Sequence, residues 1–326
     1  MQQTRVLQYL SRMALSALLA LPALQALAQA YPAKPIHLIV ASAPAGGSDM
    51  LGRIVAQGLS EAWQRPVVID NRVGGGGVVA TEMAAKSSPD GYTLLLQSFG
   101  IAYVGALRKN LPFDVTRDIA PLVLIASQPS MLVVHNAVPV NSVAELIQLA
   151  KSKPRQLNYG TSGAGGASHL GTELFSSAAQ IQLVPVNYKG TGPAITALVA
   201  GEVHMALVGI STALAHARAK RLKALGVTST ARSALVPDVP TISETLPGFE
   251  FDVWYGIFGP PSIPRQIRLK INTAVNGVLQ RPAVRERIAA VGADPVGGSE
   301  EKFVKFFRAE VAKWHKVIQN AGIRAD

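Results

Sequence analysis

Three stretches of this chain carry residue types that can hold an anion without a metal or a cluster of basic side chains. They are Ser42-Ala43-Pro44-Ala45-Gly46-Gly47-Ser48-Asp49, Thr161-Ser162-Gly163-Ala164-Gly165-Gly166-Ala167-Ser168-His169 and Asn187-Tyr188-Lys189-Gly190-Thr191-Gly192. Each follows a strand-like run and precedes a helical pattern, so each is a glycine loop that ends on a helix N-terminus. Such a terminus offers unpaired N–H groups and the positive end of the helix dipole, which together favour an anion. Glycines let the backbone approach a ligand closely. The hydroxyls of Ser42, Ser48, Thr161, Ser162, Ser168 and Thr191 add donors. The competing reading is that the glycines make tight turns and the hydroxyls cap helices; one design used three times favours binding. Lys189 is the only cation in these loops, and it either orients a carboxylate or faces solvent. His169 either takes a hydrogen bond at a helix start or touches a ligand. Asp49 is most simply an acid in the first turn of a helix.

Other chemistries fail on the residues. The sequence has no G-x-x-x-x-G-K-[ST] phosphate loop and no G-x-S-x-G nucleophile elbow. Residues 163–168 lack the third glycine of a dinucleotide fingerprint. The chain has no cysteine, so it has no thiolate metal site and no cysteine nucleophile. Its six histidines show no metal-ligand spacing. No paired carboxylates converge on the loops. A hydrolase built on Ser162 or Ser168 is the enzymatic rival, and no base for it can be assembled. The residues therefore argue a binding protein with no cofactor and no metal.

The elements that must position these loops alternate. Strands are expected at 36–40, 66–70, 92–96, 131–134, 183–186, 204–208 and 222–227, with helices between most of them. A helix from Met50 should bury Met50, Ile54, Leu59 and Trp63. Ser142 and Glu145 form a capping box. This grammar argues an α/β sheet, largely parallel, in which ligands bind at the carboxyl ends of the strands. The last third reads as helical, ending in a helix capped by Ser299 with an apolar face of Phe303, Phe306, Phe307, Trp314, Val317 and Ile318. Such a terminal helix docks on an earlier domain. The expected division is one lobe of residues 31–126 plus 228–326 and a second of 127–227.

Thirty-one basic residues face twenty acidic ones, a net charge of +11, with no aromatic-interleaved basic patch that would suit nucleic acid. Arg5 and Arg12 precede an apolar run of about a dozen residues and Ala28-Gln29-Ala30. That pattern reads as a secretory leader cleaved after Ala30, and the run is too short to span a bilayer. An uncleaved anchor or a core helix is the alternative. The mature chain is expected in the periplasm.

Several further segments occur in a telling order. They are Tyr31-Pro32-Ala33-Lys34-Pro35-Ile36, Pro44 with Gly46-Gly47 and Asp49, Asn71-Arg72 with 74–77, Pro89-Asp90-Gly91-Tyr92-Thr93-Leu94-Leu95, Leu157-Asn158-Tyr159, Ser168-His169-Leu170, Tyr188-Lys189-Gly190 and Pro237-Asp238-Val239-Pro240-Thr241. In this order they resemble the Bug-type periplasmic receptors of tripartite tricarboxylate transporters, over essentially all of 31–326. The resemblance implies a two-lobed Venus-flytrap fold of the type II-like periplasmic-binding-protein kind, each lobe a mixed, mostly parallel sheet flanked by helices. It implies no catalysis, a monomer, and a cleft that closes on a small carboxylate. It places ligand contacts at Ser42, Ala43, Gly46, Gly47 and Ser48, at Thr161, Ser162, Gly163, Ser168 and His169, and at Tyr188, Lys189, Gly190 and Thr191. It adds Ser98, Phe99, Gly100 and Gly209. The implied partners are the large and small membrane subunits of such a transporter, or alternatively a sensor kinase. This sequence departs from many relatives at Ala43, where they carry an aromatic residue. It also has a neutral stretch over 206–210, where amine-binding relatives carry an acid. The expected ligand is thus a carboxylate without an amine, because a buried ammonium without a partner is costly.

Overall fold

In the computed structural model, which describes residues 31–44, 46–108 and 110–323, the first half of the chain builds a parallel unit. The leader expected over 1–30 lies outside the described residues. Strands β1 (Ile36–Val40), β2 (Val67–Asn71) and β3 (Thr93–Ser98) pair in parallel in the order β2-β1-β3. Their apolar runs suit strands covered by helices on both faces. The helices are α1 (Gly47–Trp63), α2 (Val78–Ala85) and α3 (Gly100–Leu107). Helix α1 buries Leu51, Ile54, Val55 and Leu59, but Met50 is 38% exposed. The expectation for Met50 fails because it lies about 100° round the helix from Leu51, off the buried stripe.

Strand β4 (Ala120–His135) belongs to two sheets. Its first part pairs antiparallel with β9 (Asp252–Gly259), which also pairs with β3. From Ser130 it pairs antiparallel with β7 (Met205–Gly209) and β8 (Leu222–Val227). The sequence indicated only 131–134 of this strand, because Pro121 and Pro129 obscure the rest. Pro129 falls where the chain leaves one sheet for the other, a place where a missing N–H is tolerated.

In the second lobe, β5 (Asn158–Thr161) and β6 (Val184–Asn187) join β7 in parallel, in the order β7-β5-β6. Helices α4 (Val143–Ser152), α5 (Ala167–Ala179), α6 (Thr191–Ala200) and α7 (Ile210–Arg218) flank them. The crossings between the sheets are tied together. Thr228 Oγ1 accepts from the Ser130 N–H at 2.8 Å, and the Thr228 N–H donates to Ser130 O at 2.9 Å. The Asp252 carboxylate accepts from Ser127 Oγ at 2.6 Å and from Thr228 Oγ1 at 3.4 Å. Burial pushes the Asp252 carboxyl above its ordinary pKa, helped by Glu250 and Asp294 nearby.

The last part of the chain holds α8 (Arg265–Leu279), α9 (Pro282–Ala290), β10 (Asp294–Pro295) and α10 (Glu300–Ala321). Strand β9 was not indicated in the expected helical third. Helix α10 packs on α3 and β4 and also reaches α5 of the other lobe. Phe303, Phe307, Trp314 and Ile318 form its buried face. Its buried Glu310 accepts from the indole N–H groups of Trp254 (2.8 Å) and Trp314 (3.0 Å).

Candidate functional site

How each helix begins divides the molecule. Helices α4 and α10 start at Ser142 and Ser299, whose side chains accept the N–H of Glu145 and Lys302. Helices α1, α2, α5, α6 and α7 start at Gly46, Gly77, Gly166, Gly190 and Gly209, none with a side-chain cap. Because β1 and β2 are parallel, α1 and α2 begin at one end of their sheet. Because β5, β6 and β7 are parallel, α5, α6 and α7 do the same in theirs. The uncapped N–H groups of these five helices are therefore gathered at the carboxyl ends of the strands, where an anion gains from them; α3, α8 and α9 also begin without a side-chain cap, after Phe99, Pro264 and Arg281.

In the first lobe the loop after β1 is braced by charge. Asn71 Nδ2 donates to Ser42 O (3.1 Å) and to Asp49 Oδ1 (2.9 Å), and Arg53 Nε donates to Asp49 Oδ2 at 2.9 Å. Asp49 is buried while Arg53 is largely exposed. The loop after β2 arches over the end of β1. Its four glycines, 74–77, all have φ between +60° and +129°, a region closed to most L-residues. A Cβ on Gly77 would lie 1.8 Å from Gln97 Nε2, so the arch reaches β3 only because this residue is glycine. Gln97 is buried, and its Oε1 accepts from the Ser98 N–H at 2.9 Å. Under Gly47 lies the Tyr255 hydroxyl, 2.7 Å from where a Cβ would be, and it donates to Gln128 Oε1 at 3.1 Å. Burial raises the Tyr255 phenol to about 12.

In the second lobe the brace is neutral. The Ser168 hydroxyl accepts from the Ser162 N–H at 2.8 Å and lies 3.0 Å from the Ser162 hydroxyl. The Thr161 hydroxyl accepts from the Gly163 N–H (3.0 Å) and donates to Asn187 Oδ1 (2.8 Å). The Gly165 N–H donates to His169 Nδ1 at 3.0 Å. Burial lowers the His169 pKa, against a smaller upward pull from Glu173, and that carboxylate is itself bonded to the Tyr159 hydroxyl.

The residues singled out in the sequence fall into three groups. Gly46, Gly47 and Ser48 share the α1 start, with Ser98 and Gly100 on the neighbouring strand end; Ser162, Gly163 and Ser168 share the α5 start, with Gly190 and Thr191 at the α6 start. Thr161 and His169 are buried braces within their loop. The third group stands apart from the loop contacts. The Phe99 ring packs against Tyr103, Phe251 and Trp314, so its side chain belongs to the core. Ala43 and Lys189 are exposed. Tyr188 OH reaches Glu202 at 3.5 Å, and Gly209 lies beside the Gln128 amide. The two lobes touch at two places near these loops. A Cβ on Gly165 would lie 2.9 Å from Leu107, and one on Gly292 would lie 2.7 Å from Ser211. Asn71, Gln97, Tyr103, Gln128 and Tyr255 were not found from the sequence. Only the Asp49–Arg53 pair left a signal, its i,i+4 spacing.

A two-sheet α/β fold joined by tied crossings, with uncapped glycine helix starts at the strand ends, defines a two-lobed binding protein. Residues 51–323 match the family described as tripartite tricarboxylate transporter family receptor, and the chain belongs to that family. It is 35% identical to the protein BugT of Bordetella pertussis over 302 residues, covering 91% of this chain and 92% of that one. The structure resembles a Rhodopseudomonas palustris protein solved with adipate: TM-score 0.76, 34% identity, 90% of this chain and 99% of that one covered. It also resembles MatC from the same organism with bound malate, with a TM-score of 0.72, 28% identity, and 88% and 100% covered.

Proposed function

We propose that this chain is an exported periplasmic receptor that captures a small organic carboxylate, one without an amine, between its lobes. It delivers that solute to the membrane subunits of a tripartite tricarboxylate-type transporter. The division into residues 31–126 plus 228–326 and 127–227 is part of this reading. The carrying observation is the set of glycine-started helices at the strand ends, while the serine-capped helices α4 and α10 start elsewhere. Closure round such groups removes water and strengthens each N–H contact with a carboxylate. Adipate and malate in the two Rhodopseudomonas palustris relatives support the class of ligand. Charge argues against an amine. The strand end at 206–210 is neutral, Asp49 is engaged by Arg53 and Asn71, and Glu173 is engaged by Tyr159.

The test is a thermal-shift screen of residues 31–326, unfolded and refolded first to empty the cleft. The panel spans dicarboxylates, tricarboxylates, aromatic acids and amino acids. A ligand at a hundred times its Kd adds about 2.7 kcal/mol, a rise of a few degrees in Tm. Hits confined to acids without an amine are expected. Tight binding of amino acids with none of simple acids overturns the reading.

A further inference from the structure

Helices α8 and α10 enclose a surface groove of about 510 Å³. Arg265, Arg268 and Leu269 of α8 line one wall, and Val304, Lys305 and Arg308 of α10 line the other. Positions three and four apart share a helix face, so each helix presents one stripe to the groove. A second cavity of about 160 Å³ adjoins it and shares Arg268, Glu300, Val304 and Arg308. Ala120, Pro121 and Pro261 also line that cavity. Ala120 pairs with Gly259 of β9, and β9 runs antiparallel to β3. The groove therefore lies at the end of the first sheet opposite Ser98 and the glycine loops.

The acids of the groove are already engaged. Glu300 Oε1 lies 3.1 Å from Arg268 Nη1. The Glu301 carboxyl is held below its ordinary pKa by its own N–H and the Ser299 hydroxyl, with smaller pulls from Arg265 and Arg268. The cations are not all engaged. The side chains of Arg265, Lys305 and Arg308 make no hydrogen bond or ion pair among the described residues, and all three residues are exposed. Arg268 Nε is buried and has no hydrogen-bond partner, where a buried polar atom ordinarily has one. Between these charges the floor is apolar: Leu269 is 40% exposed and Val304 is half-buried.

We propose that this groove docks an acidic, amphipathic peptide segment of a partner protein, its carboxylates on Arg265, Lys305 and Arg308 and its apolar side chains on Leu269 and Val304. A concave channel between two helices suits an inserted segment. A membrane surface is flat, and a small inorganic anion gains nothing from Leu269. Opposite charge steers the encounter and sets the register of the segment. Because the groove faces away from the glycine loops, the partner can engage the receptor with solute in place. The proposal does not depend on which solute the cleft holds.

The experiment titrates residues 31–326 into a fluorescent synthetic peptide of glutamate pairs alternating with leucine, read by anisotropy. A comparison peptide carries glutamine for every glutamate. Saturable binding of the glutamate peptide is expected, about tenfold tighter than that of the glutamine peptide, the scale of a few exposed ion pairs acting together. Lys305→Glu combined with Arg308→Glu should weaken it by about tenfold on the same scale. Leu269→Ser should weaken it by about fivefold, as one partly covered leucine is lost. Both variants change exposed residues, so Tm and acid binding in the cleft should stay as in the wild type. No binding of the glutamate peptide, equal binding of both peptides, or binding that both variants retain overturns the proposal. Displacement of the peptide by inorganic phosphate, with no effect of Leu269→Ser, marks a small-anion site and also overturns it. So does binding of phosphatidylglycerol vesicles, lost on charge reversal, by a protein that ignores the peptide.

Discussion

The two lobes present the same feature, an uncapped helix start beside a glycine loop, and hold it in place by different chemistry. In the first lobe the loop after β1 is tied by Asp49, Arg53 and Asn71, and the α1 start rests on Tyr255 and Gln128 of the crossing strands. In the second, Ser162, Ser168, Thr161 and a neutral His169 do the tying, and Gly190 and Gly192 of the α6 start have nothing within 4 Å of a Cβ position. One half of the site is packed against the crossing strands; the other is a hydroxyl-lined loop with room around it. The first should respond to volume and weakly to salt, the second to pH.

Volume gives the largest difference. Gly47→Ala drives a Cβ into the buried Tyr255 hydroxyl at 2.7 Å, whereas Gly192→Ala meets open space. Overpacking costs up to about 3 kcal/mol, so Gly47→Ala should weaken ligand binding by up to about a hundredfold on that scale. Gly192→Ala should change it by less than about twofold, as surface changes do. Equal effects in calorimetry would remove the claimed asymmetry. Next in size is Ser168→Ala, which leaves the Ser162 N–H without its acceptor. An unsatisfied part-buried donor costs about 1–2 kcal/mol. The loss should appear in affinity and in faster hydrogen exchange at Ser162, with the loop after β1 unaffected.

The pH response separates the lobes directly. The folded pKa of His169 is lowered by burial, so its contribution is present at neutral pH and is lost as pH falls below about 6.5. Protonation puts a proton on Nδ1, where the Gly165 N–H now donates, and loosens that loop. Affinity should therefore hold from pH 8 to 7 and decline on further acidification by about 1 kcal/mol, one hydrogen bond. His169→Gln should flatten that decline. Asp252 runs the other way. Its folded pKa is raised, so its stabilising contribution is greatest below the ordinary carboxylate value and is lost as pH rises through the folded pKa. Asp252→Asn should leave the His169 decline in place and raise Tm at neutral pH more than at pH 4. A wild-type affinity flat from pH 8 to 5 would sink the neutral-brace account.

Much of this asymmetry was hidden in the sequence for identifiable reasons. The α/β class and the glycine loops were legible, because the repeat of apolar run, glycine loop and helix is local. The helices begin two to three residues earlier than the loops implied, after Gly46, Gly166 and Gly190, so the last residues of each expected loop form the first helical turn. What the sequence did not show depends on contacts between distant segments. Gln97 matters because the 74–77 arch crosses β1 to meet it, and Tyr255 matters because β9 returns beneath α1. Phe99 lies at a strand end, as a ligand residue would, but its ring turns to Trp314, more than two hundred residues away. Prolines 121 and 129 hid most of β4, the strand that joins the lobes.

The smallest expected effect tests the charged brace itself. Arg53 donates to Asp49 at 2.9 Å, but its side chain is 55% exposed, so water and salt compete for the pair. Exposed pairs contribute about 0–1 kcal/mol. The Asp49 carboxylate keeps a second partner in Asn71, which also holds Ser42 O. Arg53→Gln should therefore weaken binding by no more than about fivefold on that scale. The wild-type advantage should shrink between low salt and about 1 M salt, where screening acts within a few ångströms. The Ser168→Ala deficit should not change across the same range, because no ion takes part in it. A salt-independent Arg53 effect, or a salt-dependent Ser168 effect, would mean that the two braces are not divided into a charged one and a neutral one.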